Sequence, residues 1–177
     1  AVGTCVLRKC RAHASRRFGF AFLIVGGAAA AYHASWGPTR QLMRFCDYWS
    51  IAAASGMLRT ALCTSTPGSG GQGLGLTLVR ASNILIPFHP SLVSMGNLLI
   101  SEARCMHMMR RAPEILLGSW LRHVFCAVAA GGIFFSEDMM NGHVPGVHAA
   151  WHVFAALGMI TTTPFLVAAD SNTLARG

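Results

Sequence analysis

The sequence predicts an all-α fold, a polytopic membrane helix bundle in a single domain, with about six visible spans. Three observations predict it. Charged residues make up only 11% of the 177 positions and hydrophobic residues 53%, whereas a soluble domain carries about 25% charged residues. Mean hydropathy is +0.48. The apolar residues fall in long runs, with none of the two-residue alternation of a membrane β-barrel.

The runs are Phe18–Trp36, Tyr48–Cys63, Leu74–Phe88, Ser91–Glu102, Pro113–Phe135 and Val144–Ala169. A span needs about 20 mostly apolar residues. The first, fifth and sixth runs meet that length. The second is near the minimum and contains Arg59, and the short third contains Arg80. The third and fourth are joined by "IPFHP", a proline-bounded break. Residues 1–17 form a basic N-terminal segment, and residues 64–73 a Gly/Ser-rich loop too short to link domains. The apolar stretch after residue 17 is too long for a signal peptide and is followed by further runs, so it is read as a span.

Net charge is +8. The basic residues cluster between apolar runs rather than along one amphipathic face. That is the pattern of topology signals and not of a nucleic-acid partner. Arg8, Lys9, Arg11, Arg16 and Arg17 share one side with Arg104, Arg110 and Arg111, the cytoplasmic side by the positive-inside rule. The six cysteines contain no CxxC pair and read mostly as reduced, packed thiols.

Ionisable groups at membrane depth are costly and mark function. His33 lies near the end of the first span and Asp47 at the start of the second. His148 and His152 lie in the first turns of the last. Four crossings, or two if the third and fourth runs form a re-entrant hairpin, separate the second span from the last. Either way, all four residues share one depth on one side. Residues four apart share a helix face, so His148 and His152 can hold one metal ion, with His33 as a third ligand. Three protein ligands plus water is the open pattern of catalytic zinc. Asp47 could orient or deprotonate that water. The same residues are compatible with packing histidines and a helix-capping aspartate.

The patches "AAAAYHAS", "RFCDYWSIAAAS" and "VHAAWHVFAALG" resemble the CREST superfamily. This group of seven-helix membrane proteins includes alkaline ceramidases, progestin and adipoQ receptors, GPI-remodelling phospholipases and myomaker-like proteins. The resemblance implies Zn2+ held by His33, His148 and His152, with Asp47 as the catalytic residue assisting its water. It implies hydrolysis of an amide or ester in a membrane lipid, ceramide-like, GPI or phospholipid. It also implies a seven-helix fold, of which this chain would lack the first helix. The location implied is multi-pass, in an endomembrane (ER or Golgi) or the plasma membrane. One departure concerns chemistry: the family's serine, four residues before the first histidine, is here Ala29. A non-catalytic receptor-like or membrane-remodelling role is therefore a second reading. A bis-histidine haem protein using His33 and His152 is a third.

Of the other histidines, His89 reads as interfacial, and His107 and His123 as residues near helix ends. His143, Glu137 and Asp138 read as a solvated loop before the last span.

Overall fold

The computed structural model describes residues 2–64, 81–139 and 146–171, with backbone alone at 64, 82, 135, 137–139 and 148. The described residues are helical, with no strand among them. The helices are α1 (Val2–Lys9), α2 (His13–Ala34), α3 (Gly37–Thr64), α4 (Pro90–Arg111), α5 (Pro113–Met139), α6 (Val147–Thr161) and α7 (Thr163–Asp170). A single 3-10 turn, Ser82–Leu85, precedes α4.

The start of the chain is more structured than a basic tail. Helix α1 folds back along α2, and a Cβ on Gly3 would come within 2.5 Å of the Gly19 carbonyl oxygen, so only glycine permits this approach. Helix α2 begins five residues before the apolar run. Its first N–H groups lack intrahelical acceptors, and a side chain from the other end of the chain supplies them. The Asp170 carboxylate accepts from the Ala12 N–H at 3.0 Å, the Arg11 N–H at 3.1 Å and the Ser15 hydroxyl at 2.7 Å. A negative charge at a helix N-terminus is also favourable.

Gly37, at φ +56°, turns the chain from α2 into α3. Helix α3 runs 28 residues, about 42 Å at 1.5 Å per residue. Its first turns carry Arg40 and Arg44, so the helix extends well before the apolar run that marks it in the sequence.

Helices α3 and α4 are parallel. Asn97 meets Ser55 and Arg104 meets Leu62, both contacts advancing in the same direction along the two helices. Helix α3 therefore ends near the basic end of the bundle while α4 starts at the opposite one. The predicted Gly/Ser-rich loop beyond residue 64 and residues 74–80 of the third run lie outside the described residues; the end of that run, residues 82–88, forms the 3-10 turn and the turn residues before α4 rather than an α-helix. Proline opens both α4 and α5, where its missing N–H costs nothing. Between them, Ala112 is forced out of the helical region by Pro113 (φ −140°, ψ 61°).

Helix α6 runs back along α5, with Trp151 against Phe134 and Gly158 against His123. It breaks at Thr162 because Pro164 has no N–H and its ring would clash with the carbonyl four residues earlier. The core lies at the basic end, where Val6, Phe18, Leu62, Met108, Leu116 and Phe165 pack together.

Two stretches, Pro113–Phe134 and Ala149–Asp170, are each long and apolar enough to cross a membrane, by length and composition. The core is apolar, yet polar side chains are buried beside it and large apolar side chains lie on the surface. Asp47, Arg59, Asn97 and His123 are buried, while Ile24, Leu92, Leu121, Phe125 and Val128 are each more than half exposed.

Candidate functional site

His33 is in the last turn of α2, Asp47 is in the third turn of α3, and His152 lies near the start of α6. The fold brings these three side chains together from positions far apart in sequence. The His33 and His152 rings meet edge to face with centroids 5.4 Å apart. His152 Nε2 lies 3.8 Å from Asp47 Oδ2, too long for a direct hydrogen bond but close for two oppositely charged groups. His148 stands one helical turn before His152 on α6. Its side chain lies outside the described residues.

The site is graded in depth. Asp47 is 1% exposed, the His152 side chain 20%, and His33 is open at the surface. Aromatic rings hold the two imidazoles. Tyr32 packs on His33 at 4.9 Å, and the Arg40 guanidinium caps Tyr32 at 5.3 Å. On the other side, Trp151 lies 4.5 Å from His152 and is backed by Phe134 at 5.6 Å. Trp36 stands exposed beside them, its indole N–H donating to the Ala34 carbonyl. Aromatic rings with arginines at one level are the composition of a membrane–water interface.

The donor set suits a borderline cation such as zinc. Two imidazoles on one tetrahedral ion, each nitrogen about 2.0–2.1 Å from it, place their ring centres roughly 5 Å apart; the observed separation is 5.4 Å. The buried carboxylate lies 3.8 Å from His152 Nε2, beyond hydrogen-bond reach. Among the described residues no set of three or more metal-binding side chains is complete. The fourth member of the sequence motif, His148, falls outside that count.

No known family model, curated protein or solved structure matches the chain. The site's meaning rests on its own geometry.

The serine question has a local answer. Ala29 stands one turn before His33, and Ser35 donates its hydroxyl to the Tyr32 carbonyl at 2.9 Å. Ser35 is thus tied to the end of its own helix and offers no hydroxyl to the histidines. Ser50, one turn along from Asp47, likewise donates to a backbone carbonyl of α3.

One polar group differs from its sequence reading. His123 is not near a helix end but in the middle of α5, 1% exposed. Its Nε2 lies 2.5 Å from Glu102 Oε1 of α4, and its Nδ1 lies 2.9 Å from the Gly158 carbonyl and 3.0 Å from the Thr161 hydroxyl. A signal for this was present. Leu116, Ser119, His123, Cys126 and Ala130 recur at three- and four-residue steps, and all are buried. In a bundle with an apolar exterior, the inward stripe is the one with small and polar members. His89 directly precedes α4 at its N-cap position. The loop with His143 lies outside the described residues, as do the Glu137 and Asp138 side chains.

Proposed function

We propose that this chain is a multi-pass membrane protein that binds zinc through His33, His148 and His152 and hydrolyses an amide or ester bond in a membrane lipid. The observation that carries the reading is the meeting of His33, His152 and buried Asp47 at one end of the bundle. The exposed apolar side chains support the membrane part. Large apolar side chains face outward on α2, α4, α5 and α6, an arrangement lipid favours and water does not.

Zinc held there would supply a Lewis acid for the carbonyl and a lowered pKa for the attacking water. The chain's own residues do the rest. Asp47, fixed by burial, accepts the proton of the attacking water at its carboxylate. Tyr32 and Trp151 hold the imidazole planes. The exposed edge at His33 and Trp36 leaves the site open at headgroup level, where a ceramide-like, GPI or phospholipid linkage would lie. By the arginine distribution this end faces the lumen or the cell exterior of an endomembrane or the plasma membrane.

A non-catalytic, receptor-like or membrane-remodelling role is the second reading, favoured by Ala29 and by the commitment of Ser35 to Tyr32. The haem alternative is disfavoured, because the two rings contact each other edge to face and leave no gap for a macrocycle.

The deciding assay is lipid turnover by the purified protein beside Ala29→Ser, across ceramide, GPI and phospholipid substrates with zinc present. Turnover by the chain as it stands, abolished in Asp47→Asn, supports the hydrolase. Turnover in neither protein, with zinc retained, leaves the non-catalytic reading in its place.

A further inference from the structure

The interior holds a second polar cluster, and it sits where a membrane bundle can least tolerate unmatched charge. His123 projects from the middle of α5, Glu102 from α4, and Gly158 and Thr161 from the last turn of α6. Backbone chemistry fixes the tautomer. The Gly158 carbonyl can only accept, so the 2.9 Å contact requires a proton on His123 Nδ1. The need for that donor comes from the kink. In an unbroken helix the Thr162 N–H would go to the Gly158 oxygen; here it goes to Met159 and Ile160 instead. The Gly158 oxygen takes the imidazole N–H and the Thr161 hydroxyl, the latter at 2.5 Å.

With Nδ1 protonated, the 2.5 Å contact between Nε2 and Glu102 Oε1 needs a second proton between them. A neutral Nε2 and a carboxylate oxygen both present lone pairs and repel at that distance. One shared proton, on either atom, makes the contact a strong charge-assisted or acid–base hydrogen bond. His123 is sealed, while the Glu102 side chain is 34% exposed, so the pair is open on its carboxyl side.

We propose that His123 and Glu102 form a proton-binding site inside the bundle. With the proton bound, α4 is fastened to α5 and, through Gly158, to the kink of α6. When alkaline medium removes it, the Nε2–carboxylate contact is lost and the fastening of α4 to α5 weakens. No bond other than these hydrogen bonds changes, and the proton leaves to solvent.

The surroundings contain other titratable groups. On α4, Cys105 lies near Glu102, with Arg104 and, from α3, Cys63 close to that thiol. On α5, Trp120 packs beside the imidazole and Arg122 is turned back onto Gly118 and Ser119. Arg59 of α3 is also buried in the bundle. Helix α6 presents the Gly158 carbonyl and the Thr161 hydroxyl to the ring. Glu102 is thus the acidic partner that touches it. The site is independent of the metal reading.

The test is thermal unfolding in detergent from pH 5 to pH 10 for the full chain and for Glu102→Gln, whose amide N–H₂ can donate to Nε2 at every pH. The expected result is a fall of several degrees in Tm on the alkaline side for the wild type, flattened in Glu102→Gln. Parallel curves for the two proteins would overturn the proposal. Should Glu102→Gln not fold, ¹⁵N resonances of the wild-type His123 ring decide. A protonated Nδ1 throughout, with Nε2 losing its shared proton at alkaline pH, supports the site. An unprotonated Nδ1, or an Nε2 insensitive to pH, contradicts it.

Discussion

The two ends of the bundle are built on opposite principles. At the basic end, Phe165 and Leu166 of α7 sit fully buried among side chains from five other helices. Asp170 closes that end by bonding three donors around the start of α2. At the histidine end the polar groups face one another across α2, α3 and α6, and the outermost, His33, is open to the surroundings. One end spends its residues on packing. The other keeps side chains that contribute little to folding and are costly to place near lipid. On the proposed reading, stability and ligand binding are separated along the length of the same helices.

The contrast is broken most strongly at Phe165. Phe165→Ala removes a ring packed against Trp120 and is expected to cost about 3–5 kcal/mol, measured by reversible unfolding in detergent micelles. If the proposed zinc site is present, folded molecules of this variant should bind zinc as the parent chain does. Next in size is Asp170→Ala, which strands two backbone N–H groups and the Ser15 hydroxyl and should cost about 1–3 kcal/mol. Asp170→Asn should recover part of this, since its amide oxygen still accepts. At the opposite end, His33→Ala should change the stability of metal-free protein by no more than about 0.5 kcal/mol, as expected for an exposed side chain. An equal loss at His33 and at Asp170 would erase the distinction between the ends.

The smallest effect concerns Cys10, in the turn between α1 and α2. Burial, and then the nearby Asp170 carboxylate, push its thiol from 9.0 up to about 12. The folded chain keeps a proton that the unfolded chain loses. The thiol's contribution is complete below pH 9.0 and declines as pH rises towards about 12. Alkylation by iodoacetamide at pH 8.5 should spare Cys10 while modifying Cys5, which is partly exposed. Modification of both at similar rates would contradict its burial.

What could be read from the sequence follows from what each signal depends on. Helix boundaries at Pro90 and Pro113 were legible because proline acts locally. The start of α3 was not, because hydropathy marks the apolar part of a helix and Arg40 and Arg44 continue it outside that part. His33, Asp47 and His152 could be grouped because each sits near the end of an apolar run, where crossing parity assigns a common depth. The pair of His123 and Glu102 could not be grouped that way. They lie within an apolar run or at the end of one, away from any boundary used for parity, and their meeting depends on how α4 and α5 are rotated about their axes. The stripe from Leu116 to Ala130 carries that rotation, but it reads correctly only once the exterior is known to be apolar. The last run, Val144–Ala169, reads in the sequence as one span; that it breaks at Thr162 and turns the Gly158 carbonyl to an imidazole on another helix was not legible from hydropathy.

The central claim is that His33, His148 and His152 hold one zinc ion beside Asp47. Elemental analysis of the detergent-purified chain, with His33→Ala and His152→Ala purified in parallel, tests it most directly. The account predicts near-stoichiometric zinc in the parent chain and its loss in both variants, with unfolding behaviour otherwise preserved. A folded parent chain without zinc, or variants that keep it, would contradict the claim.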